Sequence, residues 1–245
     1  MTREHWLVER LVLVHGSVVA GRPTWAAQRP LAEQFELVVL DRPGFPPNPP
    51  VGRVDFESDA DLVAGLLRRR DHLVGHSYGG VISLLAAAAR PDLLASLTVI
   101  EPPATSVALD SPNVVAFAAR GAALFASRRS DDPAAFLRRF LGAVGSPFDP
   151  PSPLTPEFEQ GARALMVERG PWEASIPLAP LAAAGFPKLV VSGAHHAAFD
   201  AICDVLEREL PAERLVLPGF GHAVQHHPEF NAALAEFVER ASATS

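Results

Sequence analysis

Six short runs of branched aliphatic residues constrain this chain more than any other feature, at 11–14, 37–40, 73–74, 97–100, 189–191 and 215–217. None alternates apolar with polar residues. Each therefore reads as a strand covered on both faces, which is the pattern of a parallel sheet. Stretches with helical spacing separate the runs, at about 24–34, 58–70, 79–90, 199–210 and 228–241. Strand–helix alternation of this kind predicts an α/β fold with a doubly wound, mostly parallel sheet of about six strands. A chain of 245 residues with 48% hydrophobic content suits one such domain. Only about ten residues precede the first run, too few for an additional N-terminal strand pair.

One connection breaks the rhythm. Residues 101–188 hold no strand-like run, an interval far beyond an ordinary crossover. Helical patterns occupy about 112–127, 132–144 and 156–169, with a proline-rich break at 146–153. Val114, Phe117, Phe125, Phe136, Leu137 and Phe140 recur along them. The expectation is a helical cap at 104–178, inserted into a core made of 1–103 and 179–245. Leaving the sheet at its C-terminal edge, such a cap would cover whatever site that edge carries.

Charge and cysteine content narrow the function classes. The net charge of −7 argues against nucleic acid or an anionic membrane surface as the main partner, and Arg68-Arg69-Arg70 is too short to overturn that. No apolar run reaches membrane-spanning length, and Met1 to His5 leads straight into a strand-like run without a signal-peptide pattern. The single Cys203 rules out an intramolecular disulfide and suits a reducing cytoplasm, the expected location. Its helical neighbours Phe199, Ile202 and Leu206 mark it as a core thiol.

The chemistry gathers around Gly75-His76-Ser77-Tyr78-Gly79-Gly80, which lies between a strand-like run and an Ala- and Leu-rich helical one. A serine on such a sharp strand-to-helix turn is held above the sheet edge, at the positive end of the following helix. A serine hydroxyl needs a base to take its proton. His222, in Gly219-Phe220-Gly221-His222 after the last strand-like run, is placed on the same edge. The turn Val14-His15-Gly16-Ser17 can aim the Ser17 amide at a developing oxyanion, with the Tyr78 amide as second donor. His15 reads as a structural hydrogen-bonding residue of that loop. Neither His195-His196 nor His226-His227 has metal-ligand spacing, since adjacent histidines diverge and no HExxH pattern exists, so no metal is expected.

Together these motifs resemble the α/β-hydrolase superfamily in its compact, capped form. The resemblance runs nearly the full length: His-Gly after the first strand, Asp41-Arg42-Pro43-Gly44 after the second, the serine box, an acid and prolines at 101–103, and Gly-His near the end. It implies an α/β-hydrolase fold lacking the N-terminal strand pair, with no cofactor. The usual acid is missing, because Gly193-Ala194-His195-His196 puts His196 where the family carries Asp. Glu101, at the strand end after the serine helix, is the favoured substitute; haloalkane dehalogenases and fungal zearalenone lactonases are similar in placing an acid there. Asp200 is the alternative acid, and a site without a functional acid stays open. The expected activity is hydrolysis of a carboxyl ester or lactone of a small, moderately hydrophobic molecule by a Ser77–His222–Glu101 triad through an acyl-enzyme. Trp172 is a candidate substrate-binding residue, its other role being to anchor the cap. A non-hydrolytic lyase, as hydroxynitrile lyases are, and a degenerate ligand-binding member remain as alternatives, and oligomeric state is left open.

Overall fold

The computed structural model describes residues 8–128 and 132–243. The expectation for Met1 to His5 therefore lies outside the described residues. Six strands, β1 Arg10–Val14, β2 Glu36–Leu40, β3 Asp71–His76, β4 Leu94–Ile100, β5 Lys188–Ser192 and β6 Glu213–Val216, form one sheet in the order β2-β1-β3-β4-β5-β6. Every pairing is parallel. Helices α1 Gly21–Thr24, α2 Phe56–Leu66, α3 Tyr78–Ala89, α4 Pro112–Ser127, α5 Pro133–Ala143, α6 Pro156–Met166, α7 Leu178–Ala183, α8 Ala197–Glu209 and α9 Phe230–Ala243 make the connections and the C-terminal cover.

Within a strand the side chains part to opposite faces. Val12 and Val14 join Phe56, Ile82, Phe199 and Leu206 on one side, while Leu11 and Leu13 join Trp25, Phe230, Leu234 and Phe237 on the other. That double cover is why the strands carry no alternating pattern. The outermost strands are the exception: among the described residues β2 and β6 are the two ends of the sheet, and their residues stay partly exposed. The run expected as a helix near 24–34 is a 3₁₀ segment, Ala26–Glu33, with Pro30 inside it. Proline removes the amide that regular α-helical bonding needs there.

The order reverses between β1 and β3, so the loops leaving their C-terminal ends diverge and open a crevice. The register aligns those ends: Val14 faces Gly75, His76 faces Ile100, Ile100 faces Val191 and Ser192 faces Val216. Residues 15–17, 77, 101, 193–195 and 222 thus emerge along one edge. Over that edge, α4, α5 and α6 share a cluster of their own, in which Phe125, Phe136, Leu137, Leu141 and Leu165 close around Val18 from the loop after β1.

Candidate active site

Ser77 is the residue between β3 and α3, with φ 53° and ψ −123°. A non-glycine residue in that region is strained, and the strain is held by the Ser77 amide donating to the Ile100 carbonyl at 2.8 Å. A β-carbon on Gly79 would collide with the carbonyls of Val14 and His15, so only glycine lets α3 pass this close to β1. The Ser77 hydroxyl donates to His222 Nε2 at 2.8 Å, and His222 Nδ1 donates to Glu101 Oε2 at 2.7 Å. All three side chains are buried, Glu101 completely.

Glu101 is itself strained, at φ 44°. Its other oxygen accepts the Gly193 amide at 2.7 Å and His195 Nδ1 at 3.1 Å. Burial alone would raise its pKa, but the hydrogen bonds from His195 and His222 and the His222 charge hold it down to about 2. Behind His222, the His76 Nε2–H donates to the His222 carbonyl at 2.8 Å, and burial drives His76 down to about 3, so that ring is a neutral prop. The Phe199 ring lies 4.5 Å from that of His222. Asp200 sits in the first turn of α8, and none of the side-chain hydrogen bonds that join Ser77, His222 and Glu101 involves it. His195 and His196 do diverge: His195 turns to Glu101, while His196 Nδ1 accepts the Ala198 amide to cap α8. Glu101, His195 and His222 bring ligand-type atoms within 4.8 Å of one another, and the atoms that meet there are already joined by hydrogen bonds. Cys203 is buried in α8, and burial lifts its thiol to about 12, which suits a core residue.

The loop after β1 is fastened from three sides. His15 Nδ1 donates to the Gly16 carbonyl, its Nε2 accepts the Arg42 amide, and its burial keeps it well below ordinary histidine. Arg42 donates to the Gly16 carbonyl at 2.8 Å and pairs with Asp59 at 2.8 Å and Glu168 at 3.2 Å, all fully inside the protein. Ser17 Oγ donates to Glu168 Oε2 at 2.6 Å. The Ser17 and Tyr78 amides take no part in the turn and loop backbone bonds, and Tyr78 opens α3, where a helix leaves its amides without carbonyl partners. Sequence reasoning had not drawn Asp59, Glu168 or His195 into this assembly. The signal for His195 was the departure at 193–196, but a histidine there carries no sign of what it touches.

Two cavities meet at Ser77. The wider, about 300 Å³, is lined by Val18, Val19, Phe140, Leu141 and Phe148, and by His222. The narrower, about 40 Å³, lies under Phe117, Leu124, Phe125, Phe199 and Trp172. Trp172 presses on Gly121 of α4 and meets Phe125 edge-on at 5.1 Å, so it both anchors α4 and faces this space.

A family model described as "Alpha/beta hydrolase family" matches residues 11–234. Lipase LipV of Mycobacterium tuberculosis is 28% identical over 172 residues, spanning 69% of this chain and 63% of that protein. A pimeloyl-[acyl-carrier protein] methyl ester esterase of Aeromonas hydrophila is 33% identical over 92 residues, 37% of this chain and 36% of that one. The chain thus spans under two thirds of these relatives. Among solved structures, a thermophilic esterase from Thermogutta terrifontis superposes with a TM-score of 0.73 at 25% identity, over 95% of this chain and 90% of that one.

Proposed function

The chain belongs to the α/β-hydrolase family, and from that premise we propose that it is a serine hydrolase of carboxyl esters or lactones, with a Ser77–His222–Glu101 triad. The observation that carries this is the unbroken line of hydrogen bonds from the Ser77 hydroxyl through both ring nitrogens of His222 to a buried carboxylate. As Ser77 attacks a carbonyl, His222 takes its proton, and Glu101 balances the imidazolium that forms. The oxyanion turns to the Ser17 and Tyr78 amides. His222 then returns the proton to the leaving alcohol, and water repeats the sequence on the acyl-enzyme. Relatives named as a lipase and as esterases support an ester as the bond cleaved.

Residues 104–178 act as a cap that shapes the substrate. The alcohol oxygen must reach His222 Nε2 to be protonated, and His222 borders the wide cavity only. The alcohol portion therefore occupies the wide apolar cavity and the acyl group the narrow one. A single water needs roughly 10–15 Å³ of such space, so the narrow cavity, about 40 Å³, suits an acyl group of about three or four heavy atoms. The substrate is a small, uncharged ester or lactone with its bulk on the alcohol side, met by a cytoplasmic enzyme. The test is turnover of p-nitrophenyl acetate by the wild type and by Ser77→Ala, with fluorophosphonate labelling of the native protein. Activity and labelling should vanish together in the variant while its circular dichroism is unchanged; retained turnover would falsify the proposal.

A further inference from the structure

The contacts of His195 include one acceptor too many for a neutral ring. Its Nδ1 faces Glu101 Oε1 at 3.1 Å, and its Nε2 faces the Val144 carbonyl, just past α5, at 3.2 Å. A carbonyl and an ionised carboxylate can only accept, whereas a neutral imidazole has a single N–H. Both contacts are hydrogen bonds only when the ring carries two protons. We propose that His195 is a positively charged positioning residue, which bridges the second oxygen of Glu101 to the α5 end and keeps His222 available as a base in more acidic solution.

The inference rests on the triad proposed above. The titratable groups facing His195 are Glu101 at the end of β4, His222 across the site, His196 beside it and Asp200 in the first turn of α8; Arg120 of α4 acts on the same cluster next to His196. Burial opposes a charge on His195, but the hydrogen bond and charge of Glu101 outweigh it and raise its pKa. His196 moves the other way, lowered by burial and then by the charge of its neighbour. Phe199 stacks on the ring at 5.9 Å and fixes its plane.

The consequence follows from Coulomb's law. The rings of His195 and His222 are 5.9 Å apart. A resting His222 must be neutral to accept the Ser77 proton, and acid silences it by protonating it early. A positive charge on His195 resists that second proton, while the bonds it makes keep Glu101 aimed at His222. Seated one residue before the place where the family usually carries its acid, which His196 occupies here, His195 thus holds the displaced acid in place from the opposite side.

The experiment is the pH profile of kcat/KM for wild type and His195→Asn, since asparagine can still donate one hydrogen bond but carries no charge. The acid limb should move up by about one pH unit, as expected for losing a unit charge at this range in a partly solvated site. A merely structural role would lower kcat/KM at every pH and leave the limb in place. An unmoved limb with turnover that still depends on Ser77 overturns this inference alone; turnover that ignores Ser77 overturns the hydrolase proposal instead. A second readout needs no variant: in the ¹⁵N-labelled full chain, long-range ¹H–¹⁵N spectra should find both His195 ring nitrogens protonated at pH 6.5. A neutral tautomer there would sink the idea.

Discussion

Glu101 and Ser77 both adopt positive φ without being glycine, and both lie at strand ends where the next turn is fixed by backbone bonds to a neighbouring strand. Strain of this kind persists only when the surroundings over-determine it. At Glu101 the reward is a carboxylate with three N–H donors and no exposed surface, aimed at His222. Replacing it by Gln keeps the shape but removes the charge and favours the wrong His222 tautomer. Glu101→Gln should lower kcat by roughly 10³- to 10⁴-fold with little change in KM. Asp200→Asn, in the first turn of α8, should stay within a few-fold of wild type, because its carboxylate is not bonded to His222. Steady-state kinetics on a p-nitrophenyl ester compare the two, and the reverse ranking would return the acid to Asp200.

At the scale of elements, the contact between α4 and the turn carrying Trp172 sets the size of the narrow cavity. Gly121 leaves just enough room for the indole: a β-carbon there would stand 2.6 Å from it. Trp172→Ala should therefore lengthen the acyl pocket. Wild type is expected to favour p-nitrophenyl acetate over the hexanoate by about tenfold or more in kcat/KM, the usual range for a pocket refusing extra methylenes. The variant should narrow or reverse that ratio while its Ser77 dependence remains. A wild type that prefers the hexanoate would show that the acyl and alcohol sides are exchanged. The helical patterns of α4, α5 and α6 were legible from apolar spacing, and their bounds agree with the expectation to within a few residues. The cavity between them was not, since volume depends on which faces meet.

Across the whole molecule, one buried cation serves two buried acids: Arg42 from the loop after β2 meets Asp59 of α2 and Glu168 beyond α6. A single positive charge cannot balance both, and burial pushes Glu168 up from 4.5 to about 7. A raised carboxyl binds its proton more tightly when folded, so its contribution is full below pH 4.5 and is lost as pH rises through about 7. The raised His195 contributes below pH 6.5 and loses that contribution above it. Glu101 runs the opposite way, contributing above pH 4.5 and losing its part as pH falls toward about 2. The melting temperature should accordingly be highest near pH 4.5 and decline through pH 7 to pH 8. In Glu168→Gln, which cannot ionise, the decline from pH 4.5 to 7 should flatten; an unchanged slope would assign it elsewhere. Glu168→Ala is expected to cost about 3 kcal/mol or more by chemical denaturation, because Ser17 and Arg42 each lose a buried partner.

The amino-acid sequence by itself determined the six-stranded parallel sheet, the serine on its sharp turn and the histidine after the last strand. These follow from local causes: which faces a run of residues must bury, and which turns glycine permits. Two features the sequence left open were decided by tertiary structure alone. One is which carboxylate faces His222, since Ser77, Glu101 and His222 meet only through the register of β3, β4, β5 and β6. The other is the work of His195, which residue type cannot convey. A histidine becomes a fixed charge only when two acceptors, here from β4 and the end of α5, are brought to its two nitrogens.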